Sequence, residues 1–280
     1  MSPWLRPRPG APYLAGAPML VAHRGGARLA PENTLVAFRQ ARERWRADML
    51  EMDVRLTRDG HVVVIHDPSV DRTTDGTGLV GELTLREIQA LDAGYRFVDL
   101  EGSHSFRGQG ARVPTLEEVL VTFTDVWINV ESKEPQVARP LAELVTHFGA
   151  QDRVLIAAES EEARRGAEDY RGPWGASLRQ SLLFWILHGL PGGSPYTPAA
   201  DVLQVPERWN GLRVVTPRFV RAAHRLNIPV QVWTVDGEED MRRLLDWGVD
   251  GIQTDRPDVL ARLLTERVGR PAPRGAEASR

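Results

Sequence analysis

Glu51 and Asp53 stand two apart in Leu50-Glu51-Met52-Asp53-Val54, and Glu131 and Lys133 stand two apart in Trp127-Ile128-Asn129-Val130-Glu131-Ser132-Lys133. In a β-strand alternate side chains share a face, so each pair points one way while its apolar neighbours point the other. Carboxylates brought together repel unless a positive charge joins them, and a cluster of acidic oxygens suits a hard divalent cation, Mg2+ or Ca2+. The competing reading pairs each of the three acids with an arginine. His23 in "VAHRGG" and His66 in "VIHDP" each close an apolar run. Two imidazoles flanking one reacting centre can act as general acid and base near neutral pH, although a histidine at a strand end can also be purely structural. Arg24 and Lys133 bring positive charge to a place already fit for a cation, which makes sense if the ligand is an anion. Phosphate suits both, a planar fork from Arg24 and a compact point charge from Lys133. The alternatives are a salt bridge from Arg24 to Glu32 or Asp53 and a solvated strand end for Lys133. Lys133 is the only lysine among the 35 Lys and Arg residues of the chain. Trp233 in "VQVWTVD" shares a face with Gln231 and could wall a substrate pocket, with core packing as the competing reading.

Along the chain short β-branched runs alternate with helical patterns, which predicts βα units around a parallel sheet. The predicted strands are Met19–His23, Met49–Val54, Val126–Glu131, Val154–Ala158, Gly175–Leu178, Val202–Val205, Val230–Val235 and Gly251–Thr254. Units of this kind in this length predict an α/β fold, a (β/α)8 TIM barrel, whose active site sits at the carboxyl ends of the strands. Glu51, Asp53, Glu131, His23 and His66 all fall at such ends or beside them. "HVVVIHD" follows the second strand across Asp59-Gly60, a hairpin turn, so it predicts an antiparallel excursion rather than a barrel strand. From Pro68 to Pro114 turn residues and one short helical pattern predict an insertion, and "TLEE" at Thr115 to Glu118 is a capping box that reopens the barrel. The barrel domain spans 19–268, with an N-terminal extension at 1–18 and a frayed tail at 269–280.

A net charge of −3 with mixed signs gives no broad basic surface for nucleic acid or anionic lipid. The absence of cysteine excludes disulfides, thiolate metal sites and a thiol nucleophile. Prolines interrupt the N-terminal stretch where a signal peptide needs an apolar run, and no segment reaches the roughly 18 apolar residues of a membrane span. The expectation is a cytoplasmic protein without stable membrane insertion, its oligomeric state open. "SLLFWILHGL", Ser181 to Leu190, is read most simply as a buried helix, with a greasy rim for an acyl chain as the alternative.

Together, "AHRGG", "APENT", "LEMDV", "DGHVVVIHDPSVDRTTDGTG", "VPTLEEVL", "INVESK", "VWTVD" and "DGIQTDRPD" resemble the glycerophosphodiester phosphodiesterases, in order from about Leu20 to Val259. The resemblance implies a barrel with an insertion after the second strand, a bound divalent cation, and hydrolysis of glycerophosphodiesters to glycerol 3-phosphate and an alcohol. It implies Glu51, Asp53 and Glu131 as metal ligands, His23 and His66 as the acid/base pair, and Arg24 and Lys133 as phosphate contacts. The attacking group would be either the glycerol 2-hydroxyl, through a cyclic phosphate, or water. Ser132 and Gln253 depart from the usual pattern, and strand alternation predicts both to face outward. A lysophospholipase D accepting an acyl chain is the alternative activity. A noncatalytic phosphate-binding barrel would predict damage somewhere in the set, and the set is complete.

Overall fold

In the computed structural model, which describes residues 17–190 and 196–274, the predicted alternation of strands and helices is present. The first half runs β1 (Met19–Ala22), α1 (Leu35–Arg39), β2 (Met49–Leu56), β3 (Val62–Val64), α2 (Leu85–Gln89), α3 (Leu116–Thr122) and β4 (Trp127–Ser132). Next come α4 (Pro135–His147), β5 (Val154–Ala157), α5 (Leu178–Gly189) and β6 (Leu203–Pro206). A small hairpin of β7 (Arg208–Trp209) and β8 (Leu212–Arg213) precedes α6 (Pro217–Arg225), β9 (Val230–Trp233), α7 (Glu238–Asp246), β10 (Gly251–Thr254) and α8 (Pro257–Val268).

The parallel strands lie in the order β5-β4-β2-β1-β10-β9-β6. Two single bridges close the ring between β5 and β6: Trp174 pairs with Ile156, and Gly175 with Val202. The predicted strand Gly175–Leu178 is therefore reduced to a bridging segment. The reason is local: Ser177 and Gln180 form a capping box that starts α5 at Leu178, and one backbone segment cannot make strand-ladder and helical hydrogen bonds at once. Gly175 also permits close packing, since a Cβ there would lie 2.7 Å from the Gln204 side chain.

Strand alternation sorts the apolar residues into two cores. Leu20, Leu50, Met52, Ile128, Val130 and Val232 face the surrounding helices. Met19, Val21, Met49, Leu155 and Val202 form a small separate cluster with Trp127. Toward the amino-terminal ends of the strands both faces of the sheet are thus packed with apolar side chains, as is usual for parallel sheets. The smaller cluster comes mainly from the amino-terminal parts of the strands, so the polar residues farther along each strand face the opposite end.

β3 pairs antiparallel with β2, Val54 opposite Val64, as the Asp59-Gly60 turn predicts. The insertion that follows packs around its own apolar group, which includes Ile65, Val70, Val80, Ile88 and Val113. Thr115 and Glu118 make the predicted capping box at the start of α3. At the other end of the barrel, residues 269–274 are held rather than frayed: Arg270 donates to Asp48 and to the Pro18 carbonyl, and the Arg274 amide donates to Arg44. Residues 1–16 of the predicted extension and 275–280 of the tail lie outside the described residues.

Candidate active site

His23 leaves β1 into a turn in which Arg24, Gly25 and Gly26 all have positive φ, at 51°, 85° and 92°. A Cβ on Gly25 would lie 2.7 Å from the Ala37 side chain, and one on Gly26 would lie 2.8 Å from Pro257, so "HRGG" needs both glycines. A non-glycine residue in this region costs about 1–3 kcal/mol unless its surroundings hold it. Arg24 is held at both ends. Its backbone N–H donates to Glu51 Oε2 at 2.8 Å, and its guanidinium donates to Glu32 at 3.0 Å. Its Nε also lies 3.1 Å from Asp53 Oδ2, an ion pair not aligned as a hydrogen bond.

The register of β2 on β4 sets Asp53 directly beside Glu131, and Glu51 beside Asn129. Like charges on neighbouring strands destabilise a sheet unless compensated. Lys133 supplies the compensation, its Nζ lying 3.0 Å from Asp53 Oδ1 and 2.9 Å from Glu131 Oε2. Among the described residues, Glu51, Asp53 and Glu131 are the group of acids able to share a metal ion, with one oxygen from each lying within 4.8 Å of the others. Glu51 and Asp53 are only 3% and 1% exposed. Burial, followed by the charge of Asp53, pushes the Glu51 carboxyl up to about 7, against the opposing charge of His23. Burial would raise Asp53 too, but Lys133 and Arg24 outweigh it and hold Asp53 below the usual carboxylate range. An all-oxygen, partly buried donor set of this kind fits a hard divalent cation.

Each histidine is engaged at Nδ1 by a carboxylate. His23 meets Asp255 Oδ1 at 2.7 Å, and His66 meets Asp67 Oδ1 at 2.6 Å. For His23 the burial that lowers its pKa is outweighed by the charges of Glu51 and Asp255 and by this bond, which raise it to about 9. Asp67 is gripped in turn by Arg72, whose guanidinium also binds both oxygens of Glu32. Arg55 donates to the His66 carbonyl and to Glu134, tying the excursion back to β2 and β4.

A cavity of about 540 Å³ is lined by His23, Arg24, Glu51, His66, Glu131 and Lys133. Asp53 lies against that set through Lys133, and Trp233 lines the same cavity while 41% exposed, so it is not a core residue. Gln253 lines it too, which corrects the outward placement expected of that residue. β10 begins at Gly251 in register with Gln231 of β9, so Gln231, Gly251 and Gln253 share the inner face, while Thr254 is bonded to Asp236 outside the cavity lining. Ser132 faces away from the cavity as expected, its hydroxyl bonded to the carbonyl of Ala163.

Several partners of these residues carry no signal in strand alternation. Asn33 is one: its amide donates to Asp53 Oδ2 at 3.0 Å and its carbonyl accepts from the Asp53 N–H. Asp255, Asp67 and Arg72 are the others, whereas the salt bridges expected as the alternative for Arg24, to Glu32 and Asp53, are both present. These four fall inside "APENT", "HDPSVDR" or "TDRPD", and alternation points to Asp255 only once Gln253, two residues before it, is placed facing inward.

A model of the glycerophosphoryl diester phosphodiesterase family matches residues 23–162 and 187–259. The chain belongs to that family. A glycerophosphodiester phosphodiesterase of Caldanaerobacter subterraneus subsp. tengcongensis is 36% identical over 253 residues, covering 88% of this chain and 97% of the relative. A probable glycerophosphodiester phosphodiesterase of Mycobacterium tuberculosis is 33% identical, covering 90% and 92%. The crystal structure of a glycerophosphodiester phosphodiesterase from Agrobacterium tumefaciens superposes with a TM-score of 0.66 at 30% identity, covering 87% of this chain and 99% of that one. As a family member the chain is an enzyme, a phosphoric diester hydrolase with a TIM barrel. Among the described residues no helix is long and apolar enough to cross a membrane.

Proposed function

We propose that this chain hydrolyses glycerophosphodiesters to glycerol 3-phosphate and an alcohol, with a divalent cation, Mg2+ or Ca2+, held by Glu51, Asp53 and Glu131. The observation that carries the reading is the meeting, on one cavity, of two carboxylate-oriented histidines, an acidic cluster and two cations. The bound cation would act as a Lewis acid on a phosphoryl oxygen. Arg24 and Lys133 hold the remaining phosphoryl charge. Engagement of Nδ1 by Asp255 and Asp67 turns Nε2 into the working nitrogen of both histidines, the orienting logic of acid/base pairs generally. One histidine takes the proton of the attacking hydroxyl, and the other protonates the departing alkoxide. Trp233 walls the substrate beside them. The test is release of glycerol 3-phosphate from glycerophosphocholine and its head-group analogues in the presence of Mg2+ or Ca2+; no release from any of them would sink the reading. Trapping a cyclic glycerol phosphate during turnover distinguishes attack by the 2-hydroxyl from attack by water.

Two variants probe the supporting contacts. Asn33 sits at φ 58°, so Asn33→Gly removes the amide without adding strain. Partners that orient a metal-ligating carboxylate are worth about 10- to 100-fold. Asn33→Gly is expected to weaken cation binding on that scale, measured by calorimetry, with secondary structure unchanged. Lys133→Arg keeps the charge but puts a broad guanidinium between Asp53 and Glu131, where Lys133 places a compact ammonium. It is expected to lower kcat/KM at least about tenfold, equivalent to about 1.4 kcal/mol. Wild-type kinetics would show that the lone lysine is compositional chance.

A further inference from the structure

The barrel mouth has two unlike halves. His23, Arg24, Glu51, Glu131 and Lys133 come from β1, β2 and β4 and the residues that follow them. Opposite them the cavity wall, from β5 round to β6, is Ala157, Ala158, Ala176, Val205 and Pro206, with Glu159 and Gln204 as its polar members. α5 brings Leu178, Leu182 and Trp185 to the same cavity, and the small hairpin brings Trp209 and Leu212, which pair across its register.

α5 is not the buried helix expected of "SLLFWILHGL". Leu178, Leu182 and Ile186, spaced four apart, are 36%, 50% and 44% exposed, and Leu190 beyond them is 52% exposed. Residues four apart share one helical face, so Leu178 to Ile186 makes a stripe about 12 Å long. Exposed apolar surface continuous with a cavity marks a binding groove rather than ordinary surface. Glycerol 3-phosphate carries nothing apolar to lay against it.

We propose that the site takes glycerophosphodiesters carrying a single acyl or alkyl chain on the glycerol, the chain running from the Ala176 and Val205 wall out along α5 and the hairpin. The inference rests on the phosphodiesterase reading and names its substrate class. An oxygen from water bonds to phosphorus, the bond from phosphorus to the head-group oxygen breaks, and that oxygen takes a proton. The products are a 1-acylglycerol 3-phosphate and the head-group alcohol, with the carboxylic ester untouched. Trp185, Trp209 and Trp233 could alternatively face a quaternary ammonium. The aliphatic stripe, however, continues beyond them to Ile186, a length that a chain uses and a compact head group does not.

The test measures choline release from glycerophosphocholine and from its 1-acyl derivatives, butanoyl to decanoyl, kept below the concentrations at which they aggregate. Each methylene that leaves water is worth up to about fourfold in kcat/KM. The expected result is a rise of about two- to fourfold per methylene, expressed in KM. Leu182→Ser and Leu212→Ser, at positions 50% and 60% exposed and so harmless to the core, are expected to flatten that slope. A flat or falling series with glycerophosphocholine still cleaved overturns the chain groove and leaves the phosphodiesterase reading standing. No release from any member overturns the phosphodiesterase reading itself. A slope unchanged in both variants overturns the groove, as does a sedimenting dimer that Leu182→Ser dissociates, because α5 would then be a self-association face. Strong preference for choline over ethanolamine diesters without chain dependence overturns it in favour of an aromatic cage.

Discussion

Chelation with EDTA is expected to bring phosphodiester hydrolysis to background, and added Mg2+ or Ca2+ to restore it, without unfolding the protein. The separation of activity from folding follows from the charges around the cluster. Glu51, Asp53 and Glu131 are near enough to repel strongly, yet each already has countercharges within the chain. Lys133 bridges Asp53 and Glu131, Arg24 lies on Asp53, and Glu51 accepts the Arg24 backbone N–H with His23 at 3.9 Å. The cation is therefore not needed to keep the strands together. What a bound divalent cation would add is a double charge for the phosphoryl group, which a lysine already shared between two carboxylates cannot replace. Circular dichroism should accordingly be unchanged in chelator. Cation at a hundredfold excess over its Kd should stabilise the fold by about 2.7 kcal/mol, seen as a rise in Tm. Full activity in chelator would remove the metal assignment, and unfolding in chelator would make the cation structural.

The residues legible from sequence are those on strands. Once β2 and β4 are placed, alternation alone puts Glu51, Asp53, Glu131 and Lys133 on the inner face, and their register makes Asp53 and Glu131 neighbours. What alternation does not reach is the loops. Asn33 finds Asp53 because it sits at a positive φ just before Thr34, whose hydroxyl caps α1, and Arg72 finds Asp67 and Glu32 by folding back from the insertion. Those contacts depend on backbone turns, for which side-chain periodicity carries no signal. Gln253 shows the weakness of alternation itself: a strand of four residues offers little pattern to anchor its phase, and one residue of slip reverses every side chain. α5 shows the limit of composition. A helix that is apolar nearly all round reads as buried, yet one side of this one borders an open cavity.

His66→Ala is expected to lower kcat by about 10² to 10⁴, the range contributed by a general acid or base, while leaving substrate binding and the fold largely intact. Stability should survive because the side chain is a third exposed, at 33%, and its one described side-chain partner is Asp67. Losing a hydrogen bond of this kind costs about 0.5–1.5 kcal/mol, and Arg72 still neutralises Asp67 when the imidazole is gone. The backbone at position 66 is secured separately, since Arg55 donates to the His66 carbonyl irrespective of the side chain. Substrate affinity should hold because the groups suited to bind phosphate, Arg24 and Lys133, belong to other strands and touch neither His66 nor Asp67 in the contacts described. A drop confined to KM would make His66 a binding residue, and loss of the circular dichroism signal would make it structural. A fall in kcat alone leaves proton transfer as its role, because the fold and the phosphate contacts rest on other side chains and Lys133 and Arg24 act on Asp53 more strongly than His66 does.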